Sequence, residues 1–164
     1  MLFHLRDRQL IPAPLSRVFA LSTSVPAVAR TLGFTPVQGV TTGHVELHSR
    51  VLWRGWLFGL PQHHLTLITD YAAPHTDDRG NQVAWFQDSQ ERGRFAFFQH
   101  NHHMLAAGPS ATLLQDEIRF ALPFGLAGAL VARFLMLPYI AKTLRSRMNL
   151  LTRLATTPEG DQYL

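Results

Sequence analysis

Thr112-Leu113-Leu114-Gln115-Asp116-Glu117-Ile118-Arg119-Phe120-Ala121-Leu122 runs through Pro123-Phe124-Gly125 into a segment in which Ala127, Leu130, Val131, Phe134, Leu135, Ala141, Leu144, Met148 and Leu151 recur among other apolar residues. In the first stretch Thr112, Leu114, Ile118, Phe120 and Leu122 fall at every second position, the period of a strand with one buried face. In the second the recurring residues form one helical stripe. A strand therefore delivers the chain into a long C-terminal helix beginning near Leu126. Pro138 removes one internal hydrogen bond and should kink that helix near Phe134 and Leu135.

The period of two extends back to Gly43, punctuated by turn residues at Gly59-Leu60-Pro61, Thr76 to Asn81, Glu91-Arg92-Gly93 and Gly108-Pro109-Ser110. This is the pattern of an antiparallel meander, whose first strand is expected to bury Val45, Leu47, Val51 and Trp53 and to expose Glu46, His48, Arg50 and Arg54. Toward the N-terminus, Phe3 to Ile11 reads as a strand ended by Pro12-Ala13-Pro14. Leu15, Val18, Phe19 and Ser22 then mark one short helix, and Ser24 to Gly33 a second. The order strand, two short helices, meander and long helix predicts an α+β domain in which a curved sheet wraps around the final helix. Where the sheet curves away from that helix, the space between them is a cavity.

A length of 164 residues with 46% hydrophobic and 16% charged residues suits one folded domain and excludes intrinsic disorder. We expect residues 1–155 to form that domain and 156–164 to fray as a flexible tail. The net charge of +4 contains a single lysine, Lys142, and no basic run, so no nucleic-acid partner is expected. Without cysteine there is no disulfide, thiolate site or Cys nucleophile. Arg6, Asp7 and Arg8 interrupt any leader-like apolar run, which makes the cytoplasm the expected location. Phe120 to Ala141 carries Arg133 and two prolines, and reads as a mostly buried helix more than as a membrane span.

Chemistry concentrates in two strands. His100 and His102 share a face with Phe98 and Met104, and Asp116 lies on the apolar face of its own strand, where a carboxylate needs a partner. A hairpin centred on Gly108 would set Asp116 opposite His100 and Leu114 opposite His102, with Cβ atoms about 4.5–5.5 Å apart. Three roles for His100, His102 and Asp116 remain open: a satisfied polar cluster in an apolar wall, an anchor for the head group of an apolar ligand, or acid/base or metal chemistry. A His-x-His pair without a third histidine at suitable spacing is a weak metal signal, and neither metal nor cofactor is expected. His63 and His64 adjoin a turn and are expected to face solvent.

The chain resembles the START-related helix-grip ligand-binding superfamily (SRPBCC), in particular its cyclase/dehydratase-like and coenzyme-Q-binding-like branch. The resemblance is carried by Ile11-Pro12-Ala13-Pro14 with Val18-Phe19, by Trp85 to Phe95, by Phe98-Gln99-His100-Asn101-His102, and by Asp116 to Gly125 with Arg147 beyond. It implies a helix-grip fold with an apolar cavity and does not imply a reaction. Cavity-facing candidates are Val45, Leu47, Val51, Trp53, Phe98, His100, His102, Met104, Leu114, Asp116, Ile118, Phe134 and Leu135.

The function expected is binding or carriage of a hydrophobic small molecule such as a lipid, isoprenoid or polyketide, without enzymatic turnover. One alternative is a cyclase or dehydratase that uses His100 or His102 as base with Asp116 orienting it. The other is a module that touches a partner or an anionic membrane surface through Arg133, Lys142, Arg145 and Arg147. The sequence leaves the oligomeric state open.

Overall fold

The computed structural model describes residues Met1–Leu164. Strand β1 (Phe3–Ile11) leads into helices α1 (Leu15–Thr23) and α2 (Val25–Leu32), followed by β2 (Thr35–Gly39), β3 (Arg50–Leu57), β4 (Leu60–Thr76), β5 (Gln82–Arg92), β6 (Phe97–Ala106) and β7 (Thr112–Ala121). The chain continues through α3 (Gly125–Val131), a π-helical turn (Ala132–Met136), α4 (Leu137–Thr156) and a 3₁₀ turn (Pro158–Tyr163). Seven antiparallel strands make one sheet in the order β1-β7-β6-β5-β4-β3-β2. The long helix lies against its concave face, which is the helix-grip arrangement.

Local chemistry fixes the turns. Gly33 ends α2 in the left-handed region at φ 65°, its N–H donating to Ala29 O. Phe58 and Gly59 both have positive φ, 51° and 73°, as a tight two-residue hairpin between β3 and β4 requires. Phe58 is held there against the Tyr139 ring, 5.2 Å away. Register shifts after Leu65, Ile68 and Ala72 bulge β4 against β5 and let the sheet curl around the helix.

The C-terminal helix departs from the expected stripe in an instructive way. Its buried side carries Gly128, Ala132, Met136, Ile140, Leu144, Met148 and Leu151, while the larger Leu126, Leu130, Phe134 and Leu135 face outward. At the start of the helix the turn itself requires glycine: a Cβ on Gly128 would stand 1.8 Å from Pro123 O. Phe134, expected at the cavity, is 72% exposed, and only 22% of the most apolar window of Gly125–Thr156 is buried. The segment expected as a mostly buried helix is therefore buried along one side only. The helix widens just before Pro138, and the Leu137 N–H reaches back five residues to Ala132 O.

Two further expectations are corrected. The strand expected from Val45 begins at Arg50 and is preceded in the meander by β2; residues Gly43 to Ser49 form a connection in which Val45 is buried but Leu47 is 46% exposed. His48 takes φ 66° there, which breaks the alternation the sequence suggests. The terminal residues expected to fray form the 3₁₀ turn instead, with Arg17 paired to Asp161 at 2.7 Å and Arg30 to Glu159 at 2.6 Å. Their acids answer arginines that the domain presents.

Candidate functional site

Strands β5, β6 and β7 lie side by side, and their register decides the site. Asp88 on β5 is opposite His100 on β6, and His102 is opposite Asp116 on β7. The hairpin between β6 and β7 is thus centred one residue later than expected, with Ala106 opposite Thr112 and Ala107 N–H donating to Ala111 O. The partner of Asp116 across the ladder is consequently His102, while His100 faces Ile118 and Met104 faces Leu114. A slip of two residues keeps every side chain on its expected face. Asp116, His100 and His102 therefore still meet.

Their geometry is a closed polar cluster. His102 Nδ1 lies 2.8 Å from Asp116 Oδ1, and His102 Nε2 lies 3.2 Å from Asp88 Oδ2. The His100 ring sits beside that of His102, centroids 3.8 Å apart, with its Nδ1 3.8 Å from Asp88 Oδ2 and its Nε2 3.6 Å from Asp116 Oδ2. Those last separations exceed hydrogen-bond length, and His100 Nε2 is buried without a hydrogen-bond partner. Arg147 comes from α4, where its Nη1 donates to Asp116 Oδ2 at 2.6 Å. Phe86 stacks on the other face of His102 at 4.1 Å.

Burial pushes the Asp116 carboxyl up, but the Arg147 guanidinium, with His102 and His100, outweighs it and holds the group well below the usual carboxylate range. Asp88 is likewise kept below its ordinary value: burial raises it, and the hydrogen bond to His102 with the nearby His100 and His64 more than offsets this. His100 goes the other way for a base. Burial, then the neighbouring His102, lowers its pKa, although Asp116 and Asp88 oppose the change. The result is a buried imidazole for which the neutral form is favoured and neither nitrogen is hydrogen-bonded.

The cluster forms the polar end of an internal cavity of about 200 Å³ between sheet and helix. Its walls are mainly apolar, built from Val45, Val51, Trp53, Phe98, Ile118, Met136, Ile140 and Leu144, with α2 contributing Val25 and Val28. Gly55 permits one wall to exist, since a Cβ there would fall 2.2 Å from the Phe34 ring that lines the cavity. Among the expected lining residues, Val45, Val51, Trp53, Phe98, His100, His102 and Ile118 take that place. Met104 and Leu114 are instead packed in the solid core, Asp116 lies behind the imidazoles, and Leu47, Phe134 and Leu135 are outside.

Residues that sequence reasoning placed elsewhere complete the site. Asp88 belongs to the alternation Ala84, Phe86, Asp88 on β5, so the period that placed His100 and Asp116 was available for it too. Arg147, grouped with the surface cations, is buried against Asp116. Arg145 pairs with Asp7 at 2.8 Å, which leaves Arg133 and Lys142 as the cations of that group without an acidic partner. His64, expected in solvent, is half-buried against Phe95 and Phe98 and lines the cavity with His63. Burial lowers its pKa, opposed by the Asp88 charge and the Gln90 side chain.

No protein-family profile matches the sequence, and no curated protein sequence matches it. Solved structures do match the fold. A protein from Thermus thermophilus superposes with TM-score 0.68 at 18% identity, covering 92% of this chain and 95% of that one. The Zhui aromatase/cyclase from a Streptomyces species gives TM-score 0.69 at 10% identity over 94% of each chain. A START superfamily protein from Mycobacterium smegmatis gives 0.57 at 13% identity, over 90% of this chain and 98% of that one. The chain has the START-like helix-grip fold.

Proposed function

We propose that the protein binds or carries a hydrophobic small molecule in the cavity between the sheet and the C-terminal helix, with the ligand's polar head on the Asp88, His100 and His102 end. The observation that carries this reading is the contrast inside one cavity, where apolar walls converge on a single buried polar cluster. A lipid, isoprenoid or polyketide of modest size suits walls of Trp53, Phe98, Ile118 and Leu144, and the cytoplasm is the compartment we assign. Native mass spectrometry of the purified protein tests the reading. A retained apolar compound, displaced by excess of the same compound, is the expected result. A protein that carries none, and takes up no hydrophobic probe, overturns it.

A second reading, acid/base catalysis of cyclisation or dehydration, is favoured by one observation. His100 lines the cavity, has a lowered pKa and makes no hydrogen bond through either nitrogen, so its ring is free to take a proton. The likeness to an aromatase/cyclase supports this class without extending its substrate here. Turnover of the retained compound, lost in His100→Ala, distinguishes catalysis from carriage. Contact with an anionic membrane has less support, since it draws on Arg133 and Lys142 alone.

A further inference from the structure

We propose that Asp88, His100 and His102 form a divalent-metal site suited to Zn2+, with Asp116 as the carboxylate that orients both imidazoles. Each ring points one nitrogen at Asp88 and the other at Asp116. His102 offers Nε2 to Asp88 Oδ2 at 3.2 Å and His100 offers Nδ1 to the same oxygen at 3.8 Å. One donor atom from each of the three residues falls in a set whose members lie within 4.8 Å of one another. Ligand atoms bonded at about 2.0–2.1 Å to a tetrahedral ion stand roughly 3.3–3.4 Å apart, so the contacts that Asp88 makes bracket the edge of such a polyhedron.

Three further observations point to a cation there. The first concerns charge. Asp7 is met by Arg145 and Asp116 by Arg147, but the acid–base contacts of Asp88 are to the two histidines alone. A carboxylate so enclosed, with no arginine or lysine against it, is a buried negative charge that a bound cation would offset. The second concerns orientation. Histidine ligands are typically fixed by a carboxylate on the far nitrogen, and Asp116 stands behind His102 at 2.8 Å and behind His100 at 3.6 Å. The third is the unpartnered His100 Nε2. With Nδ1 on a metal, the ring proton moves to Nε2, and a small rotation brings it onto Asp116.

Two imidazoles and one carboxylate are a nitrogen-rich borderline set, which selects Zn2+ over Ca2+ or Mg2+. All three side chains line the cavity, so a fourth coordination position would open toward it and accept an oxygen donor such as a hydroxyl, enolate or carboxylate. The site does not depend on the carrier reading; retained apolar ligand without metal binding would sink the metal proposal and leave that reading intact.

The test uses the full chain after chelator treatment. Calorimetric titration with Zn2+ near neutral pH should give one ion per chain, and Co2+ should give the visible absorption of a low-coordinate site. Asp88→Asn, nearly the same shape, should weaken Zn2+ binding by more than the about 10–100-fold expected for Asp116→Asn behind the rings. His103→Ala, on the outer face of β6, should bind as the wild type does. Nitrogen resonances of His100 and His102 in the unaltered chain should shift on Zn2+ addition, a readout that needs no variant. Absence of one-to-one binding, Asp88→Asn binding Zn2+ as tightly as the wild type, or unmoved His100 and His102 resonances would each overturn the proposal.

Discussion

Arg147 on α4 donates to Asp116 on β7 at 2.6 Å, a charged hydrogen bond that ties the final helix to the sheet through the interior. The same carboxylate holds His102 through its other oxygen, so one group on β7 organises both the helix contact and the imidazole pair. Removing one member of a buried pair strands the other charge. Asp116→Ala should therefore cost about 3–5 kcal/mol in urea unfolding. An Asp116→Leu, Arg147→Met double variant should recover much of that loss. A single variant costing less than about 1 kcal/mol would show that the pair does not anchor the helix.

His64 makes stability acid-sensitive. Its folded pKa lies below the unfolded value of about 6.5, because burial against Phe95 and Phe98 disfavours the charged ring. Between those two values the unfolded chain binds more protons than the folded one. The stabilisation is complete above about pH 6.5 and is lost as pH falls through the folded pKa. In wild type minus His64→Phe, the melting temperature difference should fall as pH is lowered through this window. A difference that stays flat with pH would show that His64 titrates alike in both states.

Much of the architecture is legible in the sequence because alternation and helical spacing are strong, local signals. Gly33, Gly59 and Pro138 act where they stand, and the face shared by His100, His102 and Asp116 follows from period two. What escaped depends on distances between elements. The hairpin register at Gly108 and Pro109 turns on one residue of loop, which alternation does not weigh. Leu47, Phe134 and Leu135 are apolar but outside, because a loop with positive φ at His48 and the tight seat of Gly128 decide which side faces in. Arg147 looks like any surface arginine until Asp116 is seen to lack another cation.

The two sides of the C-terminal helix should differ sharply in their tolerance to mutation. Leu144 is buried against Ile118, Phe120 and their neighbours, so Leu144→Ala should cost about 2–5 kcal/mol. Phe134 stands in solvent, and Phe134→Ser should change stability by no more than about 0.5 kcal/mol. Denaturant midpoints at constant slope provide the comparison. A large loss at Phe134 would mean that this face is covered in solution, for instance by a second chain.

Filling the cavity should separate ligand binding from folding. Ile118 lines the cavity beside His100 on the neighbouring strand, and a phenyl ring in its place would take up part of the roughly 200 Å³ available. Ile118→Phe should weaken a fluorescent hydrophobic probe such as anilinonaphthalene sulfonate by about tenfold, equivalent to about 1.4 kcal/mol. Its overpacking cost should stay within about 1–3 kcal/mol, which leaves the domain folded for the measurement. Leu135→Phe changes an apolar residue outside the cavity and should leave probe affinity unaltered. If the two variants weaken the probe equally, the fluorescence reports the exposed helix face and the internal cavity is not where apolar molecules bind.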